Sequence, residues 1–279
     1  MPSYRALLDD ASKTLYQQSE TPRIDAELLL QHVIQQPLAW LISHGEKEAT
    51  NTHIKEFFAL VAKRFEGQPI AYLLGYRDFW TLRLKVNQHV LVPRPDTECL
   101  VEQALELLKD FKQSNILDLG TGSGAIALAL AKERPHSRVF AIDQSNKALA
   151  IAKQNAISNK IENVEFLQSN WFEKIPCNHK FELIAANPPY VKKNDEHLDA
   201  LRFEPNLALV SDQQGLGDIQ RIIKAAPEYL NKNGYLILEH GFEQQEAVIQ
   251  LLKENHFKNI QAFKDLNQLP RCSAAQWLN

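Results

Sequence analysis

The sequence predicts an α/β protein in which a mostly parallel sheet of seven strands, covered by helices on both faces, follows a helical N-terminal domain. Two observations lead to this prediction. Up to about residue 75, apolar residues recur at helical spacing and no strand pattern is present. From residue 96 onward, short apolar runs alternate regularly with amphipathic helical patterns, which is typical of a parallel sheet with crossover helices.

The N-terminal domain is predicted over residues 1–75 as a small helical bundle. Thr21 stands where a helix cap is expected, and Pro22 follows at the first helical position, which proline favours. No residue cluster in this domain suggests chemistry, so one interpretation is a purely structural bundle and the other is a domain that docks a partner. The predicted helices span residues 4–17, 24–34 and 50–65.

A β-hairpin is predicted to link the two domains over residues 76–95. Apolar and polar residues alternate from Phe79 to Val92, which is the period of a half-buried strand. The Pro-Arg-Pro sequence at residues 93–95 restricts the backbone and ends this pattern. The α/β domain follows and occupies residues 96–279.

The elements of the α/β domain follow from the same alternation. Little chain separates its last two strands, which suggests a terminal antiparallel pair. The strands are predicted at residues 115–119, 138–142, 164–168, 181–186, 235–239, 258–263 and 274–278. The helices are predicted at residues 97–109, 125–133, 146–158, 218–230 and 243–254.

Charge and composition narrow the class of protein. The 279 residues carry a formal net charge of −3 without a basic stripe, which disfavours a nucleic-acid substrate because proteins that bind one usually have a basic surface. The three cysteines (Cys99, Cys177, Cys272) are far apart in sequence, so we expect no disulfide framework and a cytoplasmic location. The histidines lack ligand spacing, which predicts no metal site. Neither a signal peptide nor an apolar run of membrane-spanning length is present, so no membrane association is expected.

A glycine-rich turn joins the first predicted strand of the sheet to the helix after it. Glycines at such a turn allow tight backbone angles and close ligand approach, and the N–H groups that open a helix suit a carboxylate or phosphate. The spacing is tighter than the Gly-x-Gly-x-x-Gly of dinucleotide-binding enzymes. We therefore expect a ligand here, and the alternative is a turn that binds none. The turn follows Asp118-Leu119 and consists of Gly120, Thr121, Gly122, Ser123 and Gly124.

Polar and aromatic residues follow the next two strands. Asp143 ends the second strand, where a carboxylate can accept hydrogen bonds from both hydroxyls of a ribose. The alternative is that Asp143 only caps the helix that begins near Ser145. Asn170-Trp171 follows the third strand and can hold an adenine by its edge and face. The alternative is that Trp171 and Phe172 form a buried aromatic pair.

The tetrapeptide Asn187-Pro188-Pro189-Tyr190 ends the fourth strand. Two prolines cannot continue a strand, so the chain leaves the sheet and presents a side-chain amide, proline carbonyls and an aromatic ring. These groups suit a planar substrate that carries an NH2 group. The alternative is a proline-terminated strand with a capping asparagine. All three strand ends face the carboxyl edge of the sheet, where open α/β sheets bind ligands.

This combination resembles the class I methyltransferases, which use S-adenosylmethionine to methylate planar nitrogens in DNA adenine, RNA guanine or protein glutamine. Further segments resemble the release-factor glutamine methyltransferase family, and this resemblance covers nearly the whole chain. Asn170 departs from it, since the family often has Asp there, and Gln268 stands where glycine is common. The segments are residues 67–75, 79–80, 91–98, 204–205, 208–209, 238–241 and 265–266 with Arg271.

The resemblance implies a Rossmann-like fold and methylation of the N5 amide nitrogen of the glutamine in the Gly-Gly-Gln motif of peptide-chain release factors. It implies S-adenosylmethionine as cofactor, with its methionine part at Gly120–Gly124, its ribose at Asp143 and its adenine at Trp171. Asn187, Pro188 and Tyr190 are then the catalytic residues, Pro189 completes the substrate site, and Asn187 also borders the cofactor. Arg94, Phe79 and Glu204 are weaker candidates. The N-terminal domain would dock the release factor, and we expect a monomer.

Three other classes remain open. A DNA adenine or rRNA guanine N-methyltransferase would use the same tetrapeptide, because a flipped base also presents an NH2 group. A dehydrogenase is more distant, since its glycine spacing and a catalytic acid or base are not apparent in the sequence. A cofactor-binding scaffold without catalysis is the third, and the intact tetrapeptide argues against it.

Overall fold

The computed structural model describes the backbone of residues 1–279 and the side chains of all of them except His197. The chain divides into two units, Met1–Tyr76 and Arg77–Asn279. The first unit is helical, and its helices are α1 (Tyr4–Leu15), α2 (Pro22–Ile34), α3 (Leu38–His44), α4 (Asn51–Phe65) and α5 (Ile70–Leu74).

Capping and apolar burial explain the first unit. The Ser3 hydroxyl accepts a hydrogen bond from the Ala6 N–H at 3.3 Å, and the Thr50 hydroxyl accepts one from the His53 N–H at 3.2 Å. Each bond satisfies an N–H group that the helix itself leaves unpaired. The apolar faces of the helices form a core of their own, which includes Leu7, Leu15, Leu29, Leu30, Phe57 and Val61.

Two details of this unit differ from the sequence prediction. The helices α3 and α5 have 7 and 5 residues, which is too short for a helical period to show in the sequence. Thr21 holds the N-cap position of α2, but among the described residues its side chain makes no capping bond. Its hydroxyl donates instead to Asp25 Oδ1 at 3.4 Å, so the start of α2 relies on Pro22.

The second unit contains a sheet of seven strands, as predicted. The order across the sheet is β10-β11-β9-β6-β3-β4-β5, in which β9, β6, β3, β4 and β5 are parallel and the terminal pair is antiparallel. These strands are β3 (Asn115–Leu119), β4 (Arg138–Asp143), β5 (Val164–Gln168), β6 (Phe181–Ala186), β9 (Leu230–Glu239), β10 (Lys258–Lys264) and β11 (Pro270–Gln276). A hairpin, β1 (Tyr76–Phe79) and β2 (Leu82–Lys85), precedes the sheet, and β7 (Val191–Lys192) pairs with β8 (Val210–Ser211) outside it.

Helices cover both faces of the sheet and bury two apolar clusters. One cluster includes Leu100, Leu128 and Ile116, and the other includes Ile222, Leu252 and Ile184. Burial of this kind is the main favourable contribution to folding. The helices are α6 (Glu98–Leu107), α7 (Ala125–Glu133), α8 (Asn146–Ser158), α9 (Gly217–Ala225) and α10 (Gln245–Glu254). No helix of the described chain is long and apolar enough to cross a membrane.

Several element ends differ from the prediction for physical reasons. The alternation to Val92 continues beyond β2, because Val90 and Val92 are buried without joining a strand. Helix α9 ends at Ala225, two residues before Pro227, which cannot supply a helical N–H. The last strand begins at Pro270 rather than at residue 274, because Cys272 already pairs with Glu239 across the sheet.

Candidate active site

The register of the sheet brings the predicted site residues to one level. Leu119 pairs with Ile142 on one side and with Ala186 on the other, and Ala186 pairs with Leu238. The residues that follow these four positions therefore lie side by side at the ends of neighbouring strands. They are Gly120, Asp143, Asn187 and Glu239. A cavity opens at this edge, and its lining includes Gly120, Gly122, Asp143, Trp171, Asn187 and Pro189.

The glycine turn adopts backbone angles that residues with side chains disfavour. Gly120, Gly122 and Gly124 have φ values of 74°, 55° and 87°, a region that other residues enter only with strain. A Cβ atom on Gly120 would also lie 3.4 Å from the Trp171 ring. The glycines are therefore required for the shape of this wall. Gly124 is not among the residues described as lining the cavity, and it packs against Leu128 at the start of α7.

A buried carboxyl group supports the turn from below. The Thr121 hydroxyl donates to Asp118 Oδ2 at 2.6 Å, and the Ala127 N–H donates to the same oxygen at 3.2 Å. Burial raises the pKa of Asp118 to about 7, although these two hydrogen bonds oppose the rise. Oδ1 of Asp118 is buried and has no hydrogen-bond partner among the residues that the structure describes.

Asp143 closes a turn and also lines the cavity. Its Oδ2 accepts from the Gly122 N–H at 2.9 Å, and its Oδ1 accepts from the Ser145 N–H at 2.8 Å. The cap of α8 is Ser145, whose hydroxyl accepts from the Ala148 N–H at 3.2 Å. Burial raises the pKa of Asp143, and the two backbone N–H groups oppose that rise. Each carboxylate oxygen keeps a second lone pair, so Asp143 can still accept hydrogen bonds from a ligand.

Trp171 is held rigidly beside the glycine turn. Its indole N–H donates to Asp218 Oδ1 at 3.2 Å, and its backbone has a φ of 46°. Its neighbour Phe172 is buried and stacks on Tyr229 instead, with ring centroids 4.6 Å apart. Asn170 lines the cavity, and its side-chain NH2 donates to Glu173 at 2.5 Å.

The tetrapeptide contributes to the cavity unequally. Asn187 and Pro189 line it, whereas Pro188 and Tyr190 are not among the described residues that do. The side-chain NH2 of Asn187 donates to the Thr97 hydroxyl at 3.2 Å. The Tyr190 hydroxyl donates to Glu239 Oε1 at 3.2 Å, and burial with the nearby Glu239 charge raises the pKa of Tyr190.

A cluster of charged side chains lies behind the tetrapeptide. The chemistry of the sequence motifs did not predict that these side chains support the site. Arg271 pairs with Asp265 at 3.0 Å and with Asp96 at 3.1 Å. Desolvation lowers the pKa of Arg271, but the carboxylates outweigh it and the pKa is raised. Burial raises the pKa of Glu239 to about 7, and Thr97 and Arg271 oppose that rise. Only the family resemblance pointed to these segments.

Of the weaker candidates, Arg94 lines the cavity, Glu204 holds Arg94, and Phe79 lies elsewhere. Arg94 lines the cavity and pairs with Glu204 at 2.5 Å, and Glu204 also accepts from the Val92 N–H at 3.0 Å. This buried carboxylate fixes the loop that contains Arg94, so the arginine is not an unpaired surface residue. Phe79 is buried in the apolar core instead.

Comparison with known proteins finds relatives over nearly the whole chain. Residues 110–275 match a family model described as a methyltransferase domain, and residues 6–75 match one described as the PrmC N-terminal domain. The release factor glutamine methyltransferase of Aliivibrio fischeri is 44% identical over 99% of this chain and 98% of its own. The protein of the same name from Escherichia coli is 42% identical, over 98% and 99% of the two chains.

Solved structures show the same fold at low sequence identity. The catalytic domain of hMettl16, solved in complex with an RNA hairpin, has a TM-score of 0.60 and 13% identity. The match covers 79% of this chain and 81% of that one. It supports the fold alone, whereas the full-length sequence matches identify the family. The chain therefore belongs to the family of the release factor glutamine methyltransferases.

Proposed function

We propose that this protein transfers a methyl group from S-adenosylmethionine to the N5 amide nitrogen of the glutamine in the Gly-Gly-Gln motif of peptide-chain release factors. The observation that carries the proposal is the hydrogen bond from the Asn187 side-chain NH2 to Thr97. This bond uses the donor end of the Asn187 amide and leaves its carbonyl oxygen to accept an N–H from a substrate amide.

The cavity fits the proposed cofactor. Gly120 and Gly122 line the cavity and have positive φ values, and a wall without side chains at these positions allows close approach of the methionine part. Asp143 has free lone pairs for the ribose hydroxyls, and the fixed Trp171 ring suits adenine stacking. When bound, S-adenosylmethionine supplies a methyl group on a positively charged sulfur.

The residues of the chain then orient the substrate amide. An amide nitrogen is a poor nucleophile because its lone pair is delocalised, so it must be aligned with the methyl group and stabilised as it becomes pyramidal. We assign the Asn187 carbonyl oxygen and the Pro188 carbonyl to accept the two N–H groups of the glutamine amide. Tyr190 and Pro189 enclose the amide and exclude water. The nitrogen becomes acidic as it gains charge, so no strong base is needed before transfer.

The N-terminal unit is proposed to dock the release factor. Residues 1–75 form the docking domain in this proposal, residues 76–95 the hairpin linker and residues 96–279 the catalytic domain. The helical unit has its own core, and it exposes large apolar side chains, with Tyr16 at 77% and Ile42 at 70%. Such side chains are suited to protein contacts. The net charge of −3 agrees with a protein substrate rather than a nucleic acid.

Mass spectrometry of a release factor incubated with this protein and S-adenosylmethionine tests the proposal. The expected result is one added methyl group on the glutamine of Gly-Gly-Gln, and a release factor with that glutamine replaced by alanine is the control. Methyl transfer to rRNA or DNA but not to the release factor would favour the nucleic-acid enzyme. Cofactor binding without transfer to any of these would favour the scaffold.

A further inference from the structure

We infer that Thr97 and Glu239 are positioning residues that fix which end of the Asn187 amide faces the cavity. Neither residue is assigned to touch the substrate. They act through a directed hydrogen-bond chain that runs from the Glu239 carboxylate through the Thr97 hydroxyl to the Asn187 amide. The inference rests on the proposed function, since it concerns how the substrate amide is received.

The first step is that the Thr97 hydroxyl is committed to this chain. Thr97 is 4% exposed and immediately precedes α6, where a threonine side chain often caps the helix. Among the described residues, however, its side chain makes no capping bond. Its oxygen instead accepts the Asn187 NH2 at 3.2 Å. The hydroxyl hydrogen of Thr97 therefore remains available to another acceptor.

Glu239 is that acceptor. It is 1% exposed at the end of β9, one position beyond the pair formed by Ala186 and Leu238. In the sheet register, Glu239 follows the position paired with Ala186, so it lies level with Asn187, which bonds Thr97. The Thr97 hydroxyl favours the ionised form of this carboxylate. The Tyr190 hydroxyl already donates to Oε1, and Oε2 is buried with no hydrogen-bond partner among the described residues. A buried oxygen without a partner is costly, so the nearby Thr97 hydrogen is drawn toward this carboxylate.

The direction of the chain follows from the number of hydrogens. A hydroxyl has one hydrogen, and an ionised carboxylate has none to give. When Thr97 donates to Glu239, it can only accept from Asn187, and the Asn187 carbonyl oxygen must face the other way. A donor in place of Glu239 would let Thr97 donate to that carbonyl oxygen. The Asn187 NH2 would then turn toward the cavity and oppose the NH2 of the substrate.

The charges around Glu239 support its ionised state at neutral pH. Burial raises its pKa to about 7, while Thr97 and Arg271 hold it from rising further. Methyl transfer should therefore increase as the pH rises through about 7, because the carboxylate form directs the chain. The other titratable groups that influence Glu239 or are influenced by it are Tyr190 after β6, Arg271 and Cys272 on β11, Asp96 before α6 and Cys99 in α6.

A matched pair of substitutions at Thr97 tests the inference. Thr97→Val keeps the shape of the side chain and removes the hydroxyl, whereas Thr97→Ser keeps the hydroxyl. The assay measures methyl transfer from S-adenosylmethionine to a release factor, and calorimetric titration measures cofactor affinity. We expect Thr97→Val to lower kcat by about 10- to 100-fold with cofactor affinity within about twofold of wild type. Thr97→Ser should stay within about threefold of wild type in both.

Glu239→Gln provides the second test, because glutamine can donate to Thr97 and reverse the chain. It should lower kcat at pH 8 by at least about tenfold and remove the pH dependence near 7. Wild-type kcat in Thr97→Val, or an equal loss in Thr97→Ser, would overturn the inference. A loss of kcat matched by lost cofactor affinity or a lower unfolding temperature would also overturn it. The proposed function fails separately, if the wild-type protein itself transfers no methyl group to the release factor.

Discussion

The glycine turn and the tetrapeptide both contribute residues to the lining of the same cavity, but they are held in different ways. The turn is built from backbone, and the groups that fix it are close in sequence: Asp118 lies two residues before it, and Asp143 ends the next strand. The tetrapeptide is fixed by side chains from distant segments, with Thr97 and Glu239 separated by 90 and 49 residues from their partners. The glycine turn, one wall of the cavity, therefore depends on contacts between residues near in sequence. The tetrapeptide, the other wall, depends on contacts that form only when distant segments fold together.

The two walls share one device, a buried carboxyl group beneath the surface. Asp118 lies under the glycine turn and Glu239 lies behind the tetrapeptide, and burial raises the pKa of each to about 7. Each also has one oxygen without a hydrogen-bond partner among the described residues. The two carboxyl groups differ in what they contact. Asp118 fixes the backbone of the glycine turn, whereas Glu239 accepts a hydrogen bond from the Tyr190 side chain. Substitutions should accordingly separate cofactor binding from methyl transfer.

The largest difference between the effect on methyl transfer and the effect on cofactor affinity is expected from Asn187→Ala. Removing the proposed acceptor for the substrate amide should lower methyl transfer by at least about 100-fold, while cofactor affinity stays within about threefold because the glycine turn is intact. Transfer of radiolabelled methyl groups and calorimetric titration measure the two quantities. Asn259→Ala on the exposed edge strand β10 is the control. Full turnover by Asn187→Ala would end the assignment of this wall to the substrate.

Asp143→Ala is expected to act in the opposite way, mainly on cofactor affinity. Loss of the proposed ribose acceptor and of the bond to the Gly122 N–H should weaken cofactor binding by about 10- to 100-fold, as calorimetric titration would measure. Thr50→Ala removes a helix cap in the other unit and serves as the control for a lost turn contact. Unchanged cofactor affinity in Asp143→Ala would reduce Asp143 to a structural turn residue.

A smaller loss of cofactor affinity is expected from Trp171→Ala, beside the glycine turn. Loss of the stacking surface should lower cofactor affinity by about tenfold, as titration of the cofactor would measure. Trp171→Phe keeps an aromatic ring and loses only the bond to Asp218, so it should remain within about threefold of wild type. Equal affinities for both variants and wild type would place the adenine elsewhere.

The smallest effect is expected from Gln268→Gly, in the turn before Arg271. Gln268 has a φ of 64°, which costs a residue with a Cβ about 1 kcal/mol that glycine avoids. The free energy of unfolding should rise by up to about 1 kcal/mol, measured by chemical denaturation, while methyl transfer is unchanged. Gln261→Gly in β10, whose φ is not positive, should destabilise the protein instead. A destabilised Gln268→Gly would mean that the Gln268 side chain stabilises the turn.

The same contrast explains what the sequence could predict. The alternation of apolar runs gave the sheet, and the glycine spacing with Asp143 located one wall, because both signals are local. Thr97 stood inside a segment noted only for family resemblance, since its partner Asn187 is distant in sequence. The start of β11 was placed too late because its pairing of Cys272 with Glu239 is a tertiary contact. Gln268 marked a departure from the family, and its positive φ is the conformation for which glycine is common there.

The rigid mounting of Trp171 has an optical consequence. The chain has four tryptophans, and Trp171 is the one that borders the cavity among the residues described. A ligand that stacks on its indole would change its fluorescence, while Trp40, Trp80 and Trp277 would contribute a constant background. Titration of the cofactor against tryptophan emission, with Trp171→Phe as the silent reference, would report occupancy of the cavity without any added label.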